Sequence, residues 1–535
     1  MPRTPLGSLL RQLHAETTFS RRTGIPAIEI HRRRSEMSRR RFLAASIGAG
    51  AATLLTASGC SSSSSSTSSP SAGAASSLRV TVVGSGLAGL VAAYRLSQAG
   101  AAVTVHESAR RVGGRTRTVR GFFDDDRTAE SGGEFVNSDH DALRSLVREL
   151  GLGLEDTWDG YPAGTGPVSS FDGMPYRAID VVGDWSAVAP AVQRDYAAAG
   201  TDIRWDHHDE AAVALDRMTL AEWIDVNVPG GRPSRLGRLI EVTHLSEWGG
   251  AAEDQSALNF ITTVGPGAGG SMDLLGGSDE RWHIDGGNDQ VAQRLVERIG
   301  PAAVQLESSL VAVRRQGSGV RCTFDHGAST TDTEADGLVL ALPFTALRTV
   351  DLAAAELSDR KRRVIDEQPM GTNAKLHLEF AERAWRADGA DGDSVSDTEL
   401  MVTWEEVITE PGPTGLLVAF TGGAPGAGYD FPPAHGEAPS AIVAATASDL
   451  ETVFGSATPA AATGRGWLDS WVDDPHTGGS YSYWAPGQYT DLRGAGGTAE
   501  GPIHFCGEHT SLQHQGFMNG AVETGERAAA EILDR

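Results

Sequence analysis

The chain has 535 residues, a formal net charge of −25 and three cysteines. This length exceeds one ordinary hydrophobic core and predicts two intertwined domains. The first 42 residues hold ten arginines and three glutamates, a surplus of seven positive charges that leaves about −32 on the remainder. Such an acidic protein is not expected to bind nucleic acid, and three cysteines cannot form a disulfide framework.

The first 60 residues have the pattern of an export signal. Residues 38–43 read Ser-Arg-Arg-Arg-Phe-Leu, a twin-arginine pattern, and an uncharged stretch rich in Ala and Gly separates them from Cys60. We interpret residues 1–60 as a twin-arginine signal for an extracytoplasmic protein, with Cys60 as a lipidated residue that anchors it to the membrane. The signal is complete from Met37 onwards, so a start there is favoured over Met1. A serine-rich linker follows at residues 61–77.

The first compact unit begins with a strand, a glycine-rich turn and a helix. Residues 80–83 form a β-branched run typical of a buried parallel strand, and an Ala/Leu-rich helix is predicted between the turn and Gly100. The turn has a G-x-G-x-x-G pattern, which allows a tight bend, close approach of a pyrophosphate, and tight packing of helix on strand. A second strand ends about twenty residues later at an acid placed to bind ribose hydroxyls. The predicted dinucleotide-binding residues are Gly84, Gly86, Gly89 and Glu107.

The residues after Glu107 favour FAD over NAD, although both cofactors fit the turn itself. Residues 110–117 read Arg-Arg-Val-Gly-Gly-Arg-Thr-Arg. The paired glycines, of which Gly114 is the second, let the backbone close over a cofactor, and Arg115 can neutralise a pyrophosphate with its planar guanidinium. The expected cofactor is therefore FAD.

The order of elements predicts an α/β fold. A Rossmann-like FAD-binding domain is expected from residues 78–154, 282–342 and 471–535, with an inserted α+β substrate domain from residues 155–281 and 343–470. Helices are predicted at residues 141–150, 220–226, 235–245, 441–454 and 521–533. Strands are predicted at residues 304–313, 320–324, 337–342, 376–380 and 416–420. The acidic and Gly-rich stretches 388–397 and 421–439 are expected to be surface loops.

Further motifs give the chain a specific resemblance that extends from Val80 to Leu533. They read Ser-Gly-Gly-Glu-Phe at 131–135, Asp-Gly-Gly at 285–287, Met-Gly-Thr-Asn-Ala-Lys at 370–375, Gly-Gly-Ser-Tyr at 478–481, Phe-Cys-Gly-Glu-His-Thr at 505–510 and Gln-Gly-Phe-Met-Asn-Gly-Ala-Val at 515–522. The chain resembles the flavin-containing monoamine oxidase family, the FAD-dependent amine oxidoreductases that include L-amino-acid and polyamine oxidases.

The resemblance implies which further residues hold the cofactor. The carboxylate of Glu508 is expected to bond the ribityl chain. The last helix is expected to begin beneath the isoalloxazine ring, where its N-terminal dipole stabilises negative charge. A strand near residue 310 would contact the adenine end, through Val313 or, in another register, Val311. The implied cofactor-binding residues are Gly507, Glu508, Gly516, Phe517, Met518 and Val313.

The resemblance also implies three residues that act on the substrate. Lys375 stands where relatives hold a water near flavin N5, and Tyr481 and Phe517 stand where relatives place two facing aromatic rings. Trp484 is an alternative wall. Some relatives bond FAD covalently through a cysteine at the position of Ser480, so FAD is expected to be bound non-covalently here.

The activity implied is that of an exported amine oxidase, which converts an amine to an imine and reduces oxygen to hydrogen peroxide. An L-amino-acid oxidase and a non-catalytic flavin-binding lipoprotein remain alternatives. Venom-type L-amino-acid oxidases have an arginine where this chain has Phe135, which weakens the first alternative. Two roles are open for Glu134, the residue before Phe135: it is expected either to face a substrate ammonium or to be a structural carboxylate. The expected partners are a small amine, oxygen and the membrane, and a homodimer is left open.

No metal site is expected. His504, Cys506, His509 and His514 lie within the flavin motifs, and their spacing matches no familiar zinc site.

Overall fold

The computed structural model describes residues 78–162, 164–265 and 279–535. The export signal, Cys60 and the serine-rich linker therefore lie outside the described residues. Among the described helices, none is both long and apolar enough to cross a membrane.

The strands of the described chain are short and distributed over its whole length. In chain order they are β1 (Arg79–Val83), β2 (Ala102–His106), β3 (Thr118–Val119), β4 (Ala129–Glu130), β5 (Leu154–Asp156), β6 (Gly166–Phe171), β7 (Met174–Pro175), β8 (Trp282–Ile284), β9 (Val304–Gln305), β10 (Ser309–Gln316), β11 (Gly319–Asp325), β12 (Thr330–Ala335), β13 (Gly337–Leu340), β14 (Ala374–Phe380), β15 (Ala390–Ser396), β16 (Val402–Glu405), β17 (Gly415–Thr421), β18 (His435–Glu437), β19 (Ala462–Ser470) and β20 (Ile503–Phe505).

The α-helices are distributed among these strands, and five of them follow one another between β7 and β8. They are α1 (Leu87–Gln98), α2 (Asp141–Glu149), α3 (Ala178–Ala199), α4 (Glu210–Asp216), α5 (Leu220–Asn227), α6 (Arg235–Trp248), α7 (Ala257–Val264), α8 (Gln290–Ile299), α9 (Phe344–Leu347), α10 (Asp359–Glu367), α11 (Gly423–Ala427), α12 (Ser440–Phe454), α13 (Ala457–Ala460), α14 (Gln488–Asp491) and α15 (Met518–Leu533).

A parallel sheet in the order β20-β13-β1-β2-β9 forms the centre of the cofactor domain. Its strands come from all three segments proposed for that domain. The side chains of β1 from Val80 to Val83 are buried, as expected for a parallel strand covered on both faces. Helix α1 leaves β1 and packs against α15, so the two ends of the described chain meet. The predicted α/β fold class is confirmed.

Residues 304–313, predicted to be rich in strand, contain parts of two strands that belong to different sheets. Residues 304–305 form β9 of the parallel sheet, whereas β10 begins at Ser309 and belongs to a separate antiparallel sheet, β10-β11-β12. The chain changes direction at Glu307, which has a left-handed φ of 53°. The backbone N–H groups of Glu307 and Ser308 donate to the carbonyl oxygens of Ala109 and Glu107, at 3.2 and 2.8 Å.

A mixed sheet in the order β18-β19-β14-β17-β16-β15-β6-β7 forms the substrate domain, together with the helices between α3 and α7. The prediction of a surface loop at residues 388–397 is wrong, because Ala390–Ser396 form β15 and all seven residues are buried. Strand β15 pairs with β16 on one side and with β6 on the other, and this pairing places its acidic residues inside the domain. The predicted loop at residues 421–439 likewise contains α11 and β18.

Strand β14 presents two different buried faces. Leu376, Leu378 and Phe380 lie in the apolar core of the substrate domain. We term the alternate residues Lys375, His377 and Glu379 the polar face of β14, and they are equally buried. Lys375 and Glu379 bond to residues of the first cofactor segment. His377 lies beside the carboxylate of Asp469. The polar face therefore lies where the two domains meet.

Candidate active site

A cavity of about 540 Å³ is lined by residues of both domains. Most of the predicted site residues border it, although they are far apart in sequence. These are Gly84, Gly86, Glu107, Gly114, Arg115, Lys375, Tyr481, Gly507, Glu508, Gly516, Phe517 and Met518.

The glycine-rich turn lies where a backbone must bend sharply and a ligand can come close. Gly84 has a φ of 99°, and a Cβ there would lie 2.7 Å from the carbonyl oxygen of Ala341. A Cβ on Gly86 would meet no atom within 4 Å, because this position faces the open cavity. Helix α1 begins at the next residue, and no side chain of the described residues caps its N-terminus. The turn can therefore receive a phosphate on backbone N–H groups.

Two predicted cofactor residues, Gly89 and Val313, lie outside the cavity lining. A Cβ on Gly89 would lie 2.0 Å from the carbonyl oxygen of Gly84, so this glycine lets α1 pack on β1, as the motif predicts. The side chain of Val313 is fully buried in the core beneath β10, and its backbone N–H donates to Asp351. The antiparallel sheet that holds Val313 directs it into this core rather than towards the cavity.

Glu107 stabilises the turn from the end of β2. One carboxylate oxygen accepts from the N–H and the hydroxyl of Ser85, at 2.8 and 2.7 Å, and the other accepts from the N–H of Ala109 at 2.8 Å. The same carboxylate borders the cavity. It can accept further hydrogen bonds there, which is what a ribose would require.

Glu508 joins three segments at the middle of the cavity. Its carboxylate accepts from Arg115 Nη1 at 2.9 Å, from the N–H of Ser482 at 3.1 Å and from the N–H of Gly516 at 2.7 Å. Arg115 also donates to the carbonyl oxygen of Ser480 at 2.7 Å. The helix N-terminus that begins α15 is thus fixed to the phosphate-binding segment through one carboxylate.

These features fit an extended dinucleotide with a planar ring system. The glycine-rich turn and the α1 N-terminus suit phosphates, and Arg115 supplies a cation near the middle of the cavity. Helix α15, which has Phe517 at its N-cap, directs a second N-terminal dipole into the same cavity.

Five of the aromatic side chains that line the cavity form a part of its wall that we term the aromatic end. Tyr481 and Phe517 both border it, with Phe135, Trp404 and Phe420 beside them. The ring centroids of Trp404 lie 6.1 Å from Phe135 and 5.4 Å from Phe420.

Trp484, the alternative wall, is not among the residues that line the cavity. Its buried indole N–H donates to Gln515 at 2.6 Å. Tyr481 borders the cavity instead, and its hydroxyl donates to the carbonyl oxygen of Ser246 at 3.3 Å.

Lys375 is buried and paired. Its Nζ donates to Glu134 Oε2 at 2.6 Å and to the carbonyl oxygen of Glu130 at 2.8 Å. Burial alone would lower the pKa of Lys375, but the charges of Glu134 and of neighbouring glutamates outweigh it, so the pKa is raised above its ordinary value. Lys375 is therefore a cation at neutral pH.

The histidines and the cysteine of the flavin motifs make local contacts. His504 pairs with Glu531 at 2.8 Å, His509 packs on Phe344 and Cys506 is a buried free thiol. Ligand atoms of Asp139, His140 and His514 lie within 4.8 Å of one another. His514 is already paired through Nδ1 with Glu523 at 2.9 Å.

Several residues that border the cavity could not be predicted from the sequence. Trp404, Phe420 and His435 belong to no motif, and their positions follow only from strand pairing. The polar face of β14 did carry a signal, because Lys, His and Glu alternate there with Leu, Leu and Phe. This period of two predicts a strand whose polar residues share one face.

Comparison with known proteins places the chain among flavoenzymes. A family model described as flavin containing amine oxidoreductase matches residues 87–533. A protein of Mycobacterium tuberculosis named as a flavin-containing monoamine oxidase, AofH, is 28% identical over 468 residues, which cover 85% of this chain and 96% of that protein. An L-glutamate oxidase precursor of Streptomyces viridosporus is 25% identical, with 85% of each chain covered.

A solved structure has the same fold. Cyclohexylamine oxidase from Brevibacterium oxydans superimposes with a TM-score of 0.72 at 23% identity, and the match covers 85% of this chain and 99% of that one. At this level of identity the likeness shows a shared fold.

Proposed function

Because this chain belongs to the flavin-containing amine oxidoreductase family, and FAD is accordingly its cofactor, we propose that it is an oxidase of primary or secondary amines. The proposed reaction oxidises the C–N bond to an imine, which water hydrolyses to a carbonyl compound and ammonia or an amine. Oxygen takes up the two electrons and becomes hydrogen peroxide. The observation that carries this proposal is the distribution of charge around the cavity.

Every arginine among the described lining residues belongs to one segment, which follows Glu107 in the sequence and contains Arg110, Arg111, Arg115 and Arg117. The aromatic end contains Lys375, whose ammonium is already paired with the Glu134 carboxylate at 2.6 Å. An amino acid would bring a carboxylate to this end, and buried carboxylates require a cationic or hydrogen-bonding partner. An amine without a carboxylate has no such requirement, so the cavity favours amines over amino acids.

The described residues would position such an amine and exclude water from it. FAD supplies the acceptor for a hydride equivalent from the carbon next to nitrogen. Tyr481 and Phe517 present aromatic faces that orient the nitrogen, and Phe135 and Trp404 enclose the apolar part of the substrate. Lys375, which borders the cavity as a cation, would stabilise negative charge that develops during oxygen reduction.

A substrate panel tests the proposal. The purified holoenzyme would be assayed for hydrogen peroxide with pairs that differ only in a carboxylate, such as phenethylamine and phenylalanine, or putrescine and ornithine. We expect turnover of amines and weaker or no turnover of the matched amino acids. Turnover confined to the amino acids would favour the L-amino-acid oxidase alternative. A yellow, FAD-loaded protein that oxidises neither class would favour the non-catalytic alternative.

We also propose that the protein is exported through its twin-arginine signal and anchored by a lipid at Cys60. The support is the order of twin arginines, uncharged stretch and cysteine in residues 38–60. Arg39→Lys combined with Arg40→Lys should retain the protein in the cytoplasm. Cys60→Ser should release it from the membrane fraction without preventing export. An unchanged distribution in both variants would contradict this proposal.

A further inference from the structure

Lys375 is held by the carboxylate of Glu134. The Lys375 ammonium has three N–H groups, and two of them donate to Glu134 and to the backbone carbonyl of Glu130. Both acceptors lie in the first segment of the cofactor domain, whereas Lys375 lies on β14 of the substrate domain. Among the described residues the hydrogen bonds of Nζ are these two, and Nζ lies 5.3 Å from the centroid of the Trp404 ring, which lines the same cavity as Lys375. Two fixed bonds therefore determine the direction of the third N–H group.

Glu134 is itself held rigidly. Its second carboxylate oxygen, Oε1, accepts from the indole N–H of Trp404 at 2.8 Å and lies 3.5 Å from Nε2 of His283. Only 3% of its side chain is exposed. A carboxylate fixed in this way on both oxygens holds the ammonium in one position, so Lys375 depends on Glu134 for its placement.

Other acidic groups surround Lys375, but Glu134 carries the negative charge that faces it. Burial raises the pKa of Glu130 to about 8, so its carboxyl is largely protonated at neutral pH. Burial and the charge of Glu134 raise the pKa of Glu406 well above its ordinary range. Burial would also raise the pKa of Glu134, but Lys375 and His283 outweigh it and lower the pKa to about 2. The titratable groups around the pair are Glu130 on β4, Glu406 after β16, His283 on β8 and Asp469, the neighbour of Lys375 on β19. Asp469 pairs with His377 and His435 instead.

We propose that Glu134 is the positioning residue of Lys375. Glu134 keeps the lysine a cation and directs its remaining N–H into the cavity during oxygen reduction. In that step oxygen takes two electrons from the reduced cofactor and two protons to form hydrogen peroxide, and Lys375 contributes charge while it keeps its own proton. Preorganised positive charge beside developing negative charge lowers the barrier to such a step. Glu134 is therefore not available to bind a substrate ammonium. The proposal rests on the oxidase function proposed above.

The test measures reoxidation of the cofactor without any amine. FAD in the holoenzyme would be reduced anaerobically with dithionite, mixed with oxygenated buffer, and followed by its absorbance between acid and alkaline pH. In Glu134→Gln, burial without a counter-charge lowers the pKa of Lys375, so the lysine becomes neutral at neutral pH. We expect reoxidation to slow towards the rate of Lys375→Met at neutral pH and to recover as the pH is lowered, because acid restores the ammonium.

Glu406→Gln is the matched control, since it changes another buried carboxyl group near the same lysine, one that accepts from the backbone N–H of Glu130 rather than from Lys375. It should reoxidise at the parent rate over the whole pH range. A parent-like profile in Glu134→Gln, or equal slowing in both variants, would overturn the proposal.

Thermal unfolding of the same variants separates placement from folding. Glu134→Gln should lower the Tm because the buried lysine loses its carboxylate partner and must give up its proton to stay buried. Glu134→Gln combined with Lys375→Met should restore much of the loss. Glu134→Asp keeps the charge and should retain the parent pH profile with a reduced rate. An additive double variant would contradict direct pairing. Because no amine is involved, failure of the proposed oxidase function would appear separately, as absent peroxide with every tested amine.

Discussion

Glu508 shows how one side chain can connect distant parts of the site. Its carboxylate accepts hydrogen bonds from Arg115, Ser482 and Gly516, which belong to three different segments. Only an ionised carboxylate can accept from all of these donors, because an amide replaces one acceptor by an NH₂ group.

We predict that Glu508→Gln weakens FAD binding about tenfold or more, since a hydrogen bond to a charged group contributes roughly 1.5–3 kcal/mol. The dissociation constant can be measured by adding FAD to the apoprotein and following flavin fluorescence. Glu379→Gln is a suitable control, because this buried carboxylate bonds the N–H of Asp124 and the hydroxyl of Thr463. Equal FAD affinities in the two variants would contradict the assigned role of Glu508.

Tyr481 tests the role of the aromatic wall. Its ring borders the cavity, whereas its hydroxyl makes a long bond of 3.3 Å to a backbone carbonyl. If the ring face orients the amine, Tyr481→Phe should keep most of the kcat/KM of the parent, and Tyr481→Ala should lose about tenfold or more at equal FAD content. The measurement is steady-state peroxide formation with the best amine of the panel. A larger loss in the Phe variant than in the Ala variant would assign the function to the hydroxyl.

At the scale of elements, the approach of α1 to β1 depends on the third glycine of the turn. A Cβ on Gly89 would lie 2.0 Å from the carbonyl oxygen of Gly84 and 3.0 Å from Cβ of Ala341. Because the first of these contacts is with backbone, a side-chain rotation cannot relieve it. Helix α1 would have to move away from the sheet.

Gly89→Ala should therefore destabilise the protein by about 1–3 kcal/mol or more and reduce its FAD content. The control is Gly183→Ala within α3, where a Cβ would meet no atom within 4 Å. Removing glycine from a helix interior stabilises by roughly 0.5–1 kcal/mol, so the control should melt at or above the parent temperature. Urea unfolding of the two variants checks the difference, and similar midpoints would contradict the packing argument.

The sequence predicted elements well where one local rule decides the structure. Strand β1, helix α1 and Glu107 follow from a β-branched run, a glycine-rich turn and a fixed spacing, and the structure has all three. Strand β15 could not be predicted in this way. Its sequence, Ala-Asp-Gly-Asp-Ser-Val-Ser, has the composition of a loop, and it is buried only because β6 and β16 pair with it.

The same distinction applies to the site. Motif residues such as Gly86, Arg115 and Phe517 border the cavity as expected. Trp404 borders it because β16 lies beside β17 in the substrate sheet, and no local pattern gives that order. The pairing of Glu134 with Lys375 joins residues 241 positions apart, so a single sequence offers two roles for Glu134 and the contact decides between them.

For the whole molecule, buried titratable groups predict how stability depends on pH. Burial lowers the pKa of His106 and His509 to about 4 and that of His244 to about 3, so these side chains are neutral in the folded protein. In the unfolded chain a histidine has a pKa of about 6.5. Between pH 6.5 and 4 the unfolded state therefore binds more protons, and stability falls as the pH falls. Each pKa unit corresponds to about 1.4 kcal/mol.

Glu130 acts in the opposite direction. Because burial raises its pKa to about 8 from an ordinary value of 4.5, the folded state binds more protons between these values, and its contribution to stability falls as the pH rises. Together the two effects predict a stability maximum at weakly acidic to neutral pH, with a loss on either side.

Thermal melts across the pH range test this prediction, and two variants isolate its parts. His244→Gln should reduce the loss of stability on the acid side, whereas His207→Gln, which changes an exposed histidine, should leave it unchanged. Glu130→Gln should flatten the decline between pH 4.5 and 8, since the amide does not titrate.

If His244→Gln and His207→Gln have the same acid dependence, the acid sensitivity must come from other groups. The buried pair of Lys375 and Glu134 is the next candidate, because the pKa of Glu134 is lowered to about 2 and its contribution disappears below pH 4.5.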